Sequence, residues 1–348
     1  MYPGRARRIR RRGAIRQDES EDDTNMKAAV LHAFGQTPKY EEFPDPKVQE
    51  DSDEVIVRVK ASSLTNLTKG IASGQHYASY RSLPVVVGVD GVGFSEDGTR
   101  VYCDSSRPPY GMMAERTVVP RSRCLPIPAE LTDFHAAALP NPGLSSWLPL
   151  SYRAKLQAGE TVLVLGATGV AGTLAVQIAK QLGAGRVVAA GRNLQSLQNL
   201  LDLGADALIS LDQPDQALAE NFAREANNGP FNVILDYVWG RPAEVLINAL
   251  TGHDLSAEPL HIRYVSIGTM AGPTIALPSA SLRSSGLEIY GSGFGSVSRE
   301  AITETLPKIW KLAASEKIRI DTELVPLAEI GKAWQRSDVH GKRIVIIL

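Results

Sequence analysis

Apolar and polar positions alternate in short runs over the first third of the chain and then change rhythm. Between Met26 and Leu139 the runs KAAVLHAF, DEVIVRVKAS and RTVVP are brief, rich in β-branched residues and separated by Pro, Gly and Asp. That spacing predicts a compact, barrel-like β domain rather than helices. The segment ELTDFHAAALPNPGLSSWLPL then takes up helical apolar spacing, with Thr132 placed as an N-cap, and reads as the hinge into a second domain.

From Thr161 onward, fully apolar runs alternate with amphipathic ones. TVLVLGA, RVVAAG, ALISL, NVILDYV, IRYVSIG and LEIYG read as strands; GTLAVQIAKQLGA, LQSLQNLLDLGA, QALAENFAREA and PAEVLINAL read as helices between them. Strands that are apolar on both faces need cover on both faces, which predicts an α/β, doubly wound, six-stranded parallel sheet of Rossmann type. The remaining helix REAITETLPKIWKLAAS and strand KRIVIIL have no place in a completed six-stranded sheet and are expected to return to the first domain. The expected division is residues 26–144, completed by 296–348, as a substrate domain and residues 145–295 as an inserted dinucleotide-binding domain.

Composition narrows the function classes. A chain of 348 residues with 43% hydrophobic residues, 22% charged residues and a net charge of -1 fits two soluble globular domains with a cleft between them. Neither nucleic acid nor an acidic partner is suggested by that balance. The first 25 residues differ: MYPGRARRIRRRGAIRQ is arginine-rich and DESEDD follows at once, a block expected to be a disordered N-terminal extension. Only Cys103 and Cys124 are present, so neither a disulfide scaffold nor a tetrathiolate zinc site is expected, and a reducing cytoplasm is the simplest setting. No apolar stretch reaches the roughly 18 residues of a membrane span, and the expectation is a protein without membrane association.

The candidate chemistry starts at VLVLGATGVAGTLAVQIAKQLG. Ala167, Gly169 and Gly172 form an A-x-G-x-x-G turn between a strand and a helix, with Thr168 and Val170 inside it. Gly169 lets backbone approach a pyrophosphate, Gly172 lets the helix pack on the strand, and the helix N-terminus offers N–H groups and a positive dipole end. At the end of the second strand stands Arg192, with no Asp or Glu anywhere from Val187 to Asn193. An acid there would accept from the ribose hydroxyls of NAD; an arginine suits a 2′-phosphate, so NADP(H) is the expected cofactor, with Asn193 offering a further hydrogen bond. Tyr237 and Val238, Ile267, Gly268 and Thr269, and Gly291, Ser292 and Gly293 end later strands and are assigned to the nicotinamide half.

Together, MKAAVL, GVDGVG at 88–93, the glycine turn, YVSIG, GSGFG and the closing GKRIVIIL resemble the medium-chain dehydrogenase/reductase superfamily, in its zinc-independent quinone oxidoreductase branch. The resemblance runs from Met26 to Leu348 and implies a GroES-like β-barrel domain with the Rossmann domain inserted. It also implies that relatives dimerise through the Rossmann sheet edge, here LEIYGSG, so a homodimer is expected. Zinc enzymes of the superfamily carry an early Cys ligand and a His-Glu pair where this chain has Ala61–Thr65 and Val89–Asp90, so no metal is expected. Metal-free hydride transfer from NADPH then suits a small-molecule acceptor that is electrophilic by itself, such as a quinone or an α,β-unsaturated carbonyl.

Substrate-lining candidates come from SLTNLTKGIASGQHYASY, where Asn66 and Tyr77 offer donors. Relatives often read Asn-x-x-Asp in this segment, and Thr65 and Thr68 occupy the corresponding positions. Lys69 reads as a solvated charge, Asp90 as a turn former, and His32 and His76 as structural. Hydrolysis is disfavoured because no G-x-S-x-G elbow stands between a strand and a helix. Two other readings stay open: a catalytically silent NADPH-binding protein with a structural or regulatory role, and a trans-acting enoyl reductase of a biosynthetic pathway.

Overall fold

The computed structural model describes residues 24–251, 261–293, 295–339 and 341–348. The first part runs β1 (Asn25–Leu31), β2 (Lys39–Pro44), β3 (Glu54–Leu64), α1 (Asn66–Ala72), β4 (Val85–Val86), β5 (Asp90–Ser95), β6 (Arg100–Asp104), β7 (Arg116–Pro120) and β8 (Cys124–Pro126). Helices α2 (Asp133–Ala138) and α3 (Pro140–Leu148) follow. The second part alternates β9 (Thr161–Leu165), α4 (Val170–Gln181), β10 (Arg186–Gly191), α5 (Leu194–Asn199), β11 (Ala207–Ser210), α6 (Asp215–Asn227) and β12 (Val233–Asp236). It continues through α7 (Gly240–Leu250), β13 (Ile262–Ser266), α8 (Ser279–Arg283) and β14 (Leu287–Gly291). Then come α9 (Arg299–Ala314), β15 (Thr322–Pro326), α10 (Ile330–Gln335) and β16 (Arg343–Ile347).

The N-terminal extension expected over residues 1–25 lies outside the described residues except for Thr24 and Asn25. Asn25 already pairs with Pro44 at the start of β1.

Strands β9 to β14 form one parallel sheet in the order β11-β10-β9-β12-β13-β14. Its central strands bury both faces. Val162 and Val164 of β9 enter one apolar cluster while Leu163 and Leu165 enter another, and β10 divides in the same way, Val187 and Ala189 against Val188 and Ala190. A period of two with no polar member is what two helical layers demand.

The second large sheet joins both ends of the chain in the order β15-β16-β3-β5-β6-β8, with β7 also paired to β3. β16 runs antiparallel to β3, Ile344 opposite Leu64 and Ile347 opposite Ala61. β1 pairs with β2 and β4 in a smaller sheet beside it.

The hinge segment breaks into pieces. Thr132 does cap α2, its hydroxyl accepting from His135 N at 3.3 Å. Pro140 starts a new helix immediately after Leu139, because proline suits a first helical turn, where its missing N–H has no intrahelical partner to lose.

Helix α9 does not return to the first sheet alone. Leu306, Ile309 and Trp310 belong to the same cluster as Val162 and Val164 of β9 and Ala175 of α4. The Trp310 ring also meets Tyr102 of β6 edge-on, centroids 5.7 Å apart, and its N–H donates to the Ala136 carbonyl at 3.4 Å. Gly143 of α3 admits the helix: a Cβ there would lie 2.9 Å from Ile309. The helix therefore packs on α3 and shares one apolar core with side chains of both domains. Among the described residues, no helix is long and apolar enough to cross a membrane.

Candidate active site

Because β9 to β14 are parallel, their carboxyl ends share one edge, and the glycine turn sits at its centre. Gly166 leaves β9 with φ +85, and its N–H and that of Ala167 both donate to Ala190 O at 2.9 Å. Gly169 is the N-cap of α4, and no side chain caps that end. The first N–H groups of a helix have no intrahelical partner, so those at Val170 and beyond face outward as donors. Gly172 has the packing role expected of it: a Cβ there would lie 2.3 Å from Gly166 O and 2.6 Å from the Ala167 Cα. Gly169 has φ -80, and its Cβ would meet only Gly166 O, at 3.5 Å, leaving the outer side of the turn open.

Gly191 brings the end of β10 against this turn, since a Cβ on it would lie 2.5 Å from the Thr168 methyl. Arg192 follows, exposed, and among the described residues no carboxylate pairs with it. Asn193 is largely committed to the fold as the N-cap of α5, its Oδ1 accepting from Ser196 N at 2.8 Å. Gly341, in the loop before β16, also comes within reach of Thr168 O, 3.9 Å from its Cβ position. Sequence order gave no sign of that approach.

The other strand ends lock together through Asp236. Its Oδ1 accepts from Val238 N at 2.7 Å and Trp239 N at 2.9 Å, and its Oδ2 accepts from the Tyr264 hydroxyl at 2.6 Å. Ile267 N and Gly268 N both donate to Asp236 O. Gly268 lies so close to β12 that a Cβ would be 2.5 Å from Tyr237 O. Tyr237 turns its hydroxyl away from the edge, donating to Ser145 O at 2.9 Å and meeting Ser146 Oγ at 3.1 Å. Only its backbone remains for a ligand. Thr269 accepts from Gly272 N at 3.2 Å, Ser292 N donates to Ser266 O at 2.9 Å, and Gly291 O accepts from Arg153 Nε at 2.9 Å.

Two contacts reach across from the first sheet to this edge. The Asn66 amide nitrogen lies 3.6 Å from the Met270 sulfur, although the residues are 204 positions apart. Met270 is 68% exposed and Tyr77 is 74% exposed. The Tyr77 hydroxyl lies 3.0 Å from the Cβ position of Gly293, and its ring stacks on His76 at 4.2 Å. Asn66 and Tyr77 thus meet the ends of β13 and β14 at the cleft mouth. Met270 was not predicted, because a lone Met after a strand carries no pattern, whereas Gly293 lies in the Gly291–Ser292–Gly293 run already expected at this edge.

Thr65 and Thr68 close the first turn of α1, Thr65 Oγ1 accepting from Thr68 N at 3.0 Å. They are spent on capping. Lys69 departs from its expected solvated state: it is half-buried, donates to Arg336 O at 3.5 Å beyond the end of α10, and burial lowers its pKa. His32 pairs with Glu41 at 2.5 Å.

Asp90 is not a turn former but the first, buried residue of β5. It accepts from the Tyr102 hydroxyl at 3.0 Å, with Asp104 and Arg343 also acting on its charge, and burial pushes its carboxyl up to about 7. Buried Arg343 donates to Leu64 O and Asn141 Oδ1, its Nε has no partner among the described residues, and burial lowers its pKa to about 10. An unfolded aspartate releases its proton near 3.8, so from about pH 4 to 7 the folded chain holds a proton that the unfolded chain has lost. Asp90 therefore costs stability progressively as pH rises through that window. Asp90→Asn is expected to flatten this slope. Denaturant titrations at pH 5 and pH 8 should show the variant gaining on wild type by about 2 kcal/mol at the higher pH; an equal difference at both would refute the assignment.

A cavity of about 370 Å³ lies in the first domain beside Arg107 and Tyr110, and one of about 410 Å³ lies beside β14, where Arg153, Arg263 and Tyr290 line it. Their arginines are already engaged: Arg107 with Glu54, Arg263 with Glu160, and Arg153 with Gly291 O.

Comparison with known proteins bears on the fold and the class of protein. The family described as zinc-binding dehydrogenase matches residues 170–315. A protein of Emericella nidulans named "Probable NADPH-dependent quinone reductase" is 29% identical over 92% of this chain and all of its own length. A trans-enoyl reductase of Aspergillus terreus is 30% identical over 47% of this chain and 42% of its own. The quinone oxidoreductase of Thermus thermophilus, solved also in complex with NADPH, superposes with a TM-score of 0.75 at 28% identity, over 93% of this chain and 100% of that one.

These likenesses support an oxidoreductase of the medium-chain dehydrogenase/reductase superfamily, in its zinc-independent quinone reductase branch. Among the described residues no three His, Cys, Asp or Glu side chains are grouped to hold a metal, and Ala61 and Val89 stand where the ligand segments would be.

Proposed function

We propose that this protein transfers hydride from NADPH to a quinone or to the β-carbon of an α,β-unsaturated carbonyl, without a metal. The observation that carries the reading is Arg192, exposed beside the glycine turn with no carboxylate partner among the described residues. A planar guanidinium is suited to a phosphate, and an acid at this place would repel one.

In this reading the open side of Gly169 and the first turn of α4 bind the pyrophosphate, and Arg192 binds the 2′-phosphate. The backbone at Tyr237, Val238, Ile267, Gly268, Thr269, Gly291 and Ser292 lines the remainder. Bound NADPH supplies the hydride. Asn66 orients the acceptor by donating to its carbonyl oxygen, where negative charge develops. A thioether is a weak acceptor, so exchanging the Met270 sulfur for that oxygen strengthens the bond. Tyr77 and Met270 exclude water at the mouth, and solvent supplies the final proton. The relatives' names support both acceptor classes. The apolar edge strand β14 is the face through which two copies pair, and the cytoplasm is the setting.

Asn66→Ala is expected to lower kcat/KM for the acceptor about 30-fold while the NADPH dissociation constant stays within about twofold. Steady-state kinetics and cofactor titration separate the two.

The reading is tested by oxidation of NADPH, and separately of NADH, against a panel of quinones and enones after EDTA treatment. Turnover with NADPH that survives chelation supports it. Cofactor binding without turnover on any acceptor would replace it with the catalytically silent reading.

A further inference from the structure

Cys103 and Cys124 lie outside the cleft and take no part in the proposed reaction, yet the fold sets them face to face. They are directly opposed in the antiparallel pair of β6 and β8, with sulfurs 3.6 Å apart. Opposed residues in such a pair have Cα atoms about 4.5–5.5 Å apart, inside the range of about 4.4–6.8 Å that a disulfide spans. Joining the sulfurs therefore needs side-chain rotation and no strand movement. Nothing in the spacing of the two cysteines along the chain announced this.

The two thiols are inequivalent. Cys103 is fully buried among Val55, Val57, Val101, Met112 and Val119, whereas Cys124 is partly exposed. The hydrogen bond from the Cys103 thiol favours the thiolate at Cys124, with Arg121 adding to that effect, and the same bond together with burial keeps Cys103 protonated. An accessible attacking sulfur backed by a buried resolving one is the arrangement of a reversible dithiol couple.

We propose that Cys103 and Cys124 form an oxidisable dithiol that closes to an intramolecular disulfide with peroxide as the oxidant. The Cys124 thiolate attacks one peroxide oxygen and breaks the O–O bond, giving a sulfenic acid and hydroxide. The Cys103 sulfur then attacks the sulfenic sulfur, the S–S bond forms, the S–O bond breaks, and the departing hydroxide takes the thiol proton. Overall, two thiols and one hydrogen peroxide give one disulfide and two waters. The couple is independent of the hydride-transfer reading. It sits between Tyr102, which holds Asp90, and Asp104, which pairs with Arg123 and with Arg299 at the start of α9. Closure fixes β8 to the strand that carries both links.

The test uses the full chain, treated with hydrogen peroxide or with dithiothreitol. Peroxide is expected to remove both free thiols together and to lower the intact mass by about two units, with reversal by dithiothreitol. The oxidised form is expected to melt about 5 °C higher. Cys103→Ala should instead gain oxygen at Cys124, and Cys124→Ser, at the partly exposed position, should show neither change while retaining turnover. Oxygen gain in the wild-type chain without loss of both thiols, or chains linked in pairs on a non-reducing gel, would overturn the proposal.

Discussion

Replacing Arg192 with alanine is expected to weaken NADPH binding about 50-fold while leaving NADH within about threefold. The expectation follows from position. Arg192 directly follows Gly191, whose missing side chain is what lets β10 end against Thr168 of the glycine turn. A charge-assisted hydrogen bond contributes about 1.5–3 kcal/mol, and each 1.4 kcal/mol is tenfold in affinity. The ribose phosphate is remote from the transferring hydride, so kcat at saturating NADPH should hold. Fluorescence titration with both cofactors reads the difference directly. Equal weakening of both would place the 2′-phosphate elsewhere.

Gly172→Ala and Gly169→Ala are expected to fail in different ways, although they lie three residues apart in one turn. At Gly172 a methyl group would meet Gly166 O at 2.3 Å and the Ala167 Cα at 2.6 Å, both backbone atoms that no rotamer change relieves. Helix α4 must shift, at a cost of about 3 kcal/mol in stability, and cofactor affinity should fall by more than about 100-fold as the donors move. At Gly169 the new methyl meets only Gly166 O at 3.5 Å and the backbone is already extended. Stability there should change by less than about 0.5 kcal/mol, while the methyl occupies the side on which a pyrophosphate must approach. Chemical denaturation and NADPH titration of the pair would show the two losses separate. Parallel losses in both variants would mean that the turn has only a packing role.

What could be read in advance was whatever repeats locally along the chain. The six strands of the inserted sheet were legible because each is a short run dominated by apolar residues and separated from the next by a helical stretch, and the glycine turn was legible because strand, glycines and helix follow one another. Contacts made across the molecule have no such trace. The approach of Asn66 to Met270, of Gly341 to Thr168 and of Cys103 to Cys124 depends on how two sheets are set against each other. Polar side chains misled for a related reason. Asp90 looked like a turn residue, yet it lies buried against Tyr102, and Tyr237 stands at the right strand end but sends its hydroxyl inward to Ser145. Helix α9 was assigned to the first domain by counting strands, whereas its apolar face, with Trp310 at the centre, is wide enough to serve both sheets.

The pairing of β16 with β3 also has a consequence for synthesis on the ribosome. Ala61 leaves the exit tunnel long before Ile347, the residue opposite it, has been translated. Until then β3 has an open edge on that side, while the intervening sheet, whose strands pair only among themselves, is free to fold first. A stalled or prematurely terminated chain would therefore carry a finished nucleotide-binding half and an unpaired strand, a form inclined to associate with other chains.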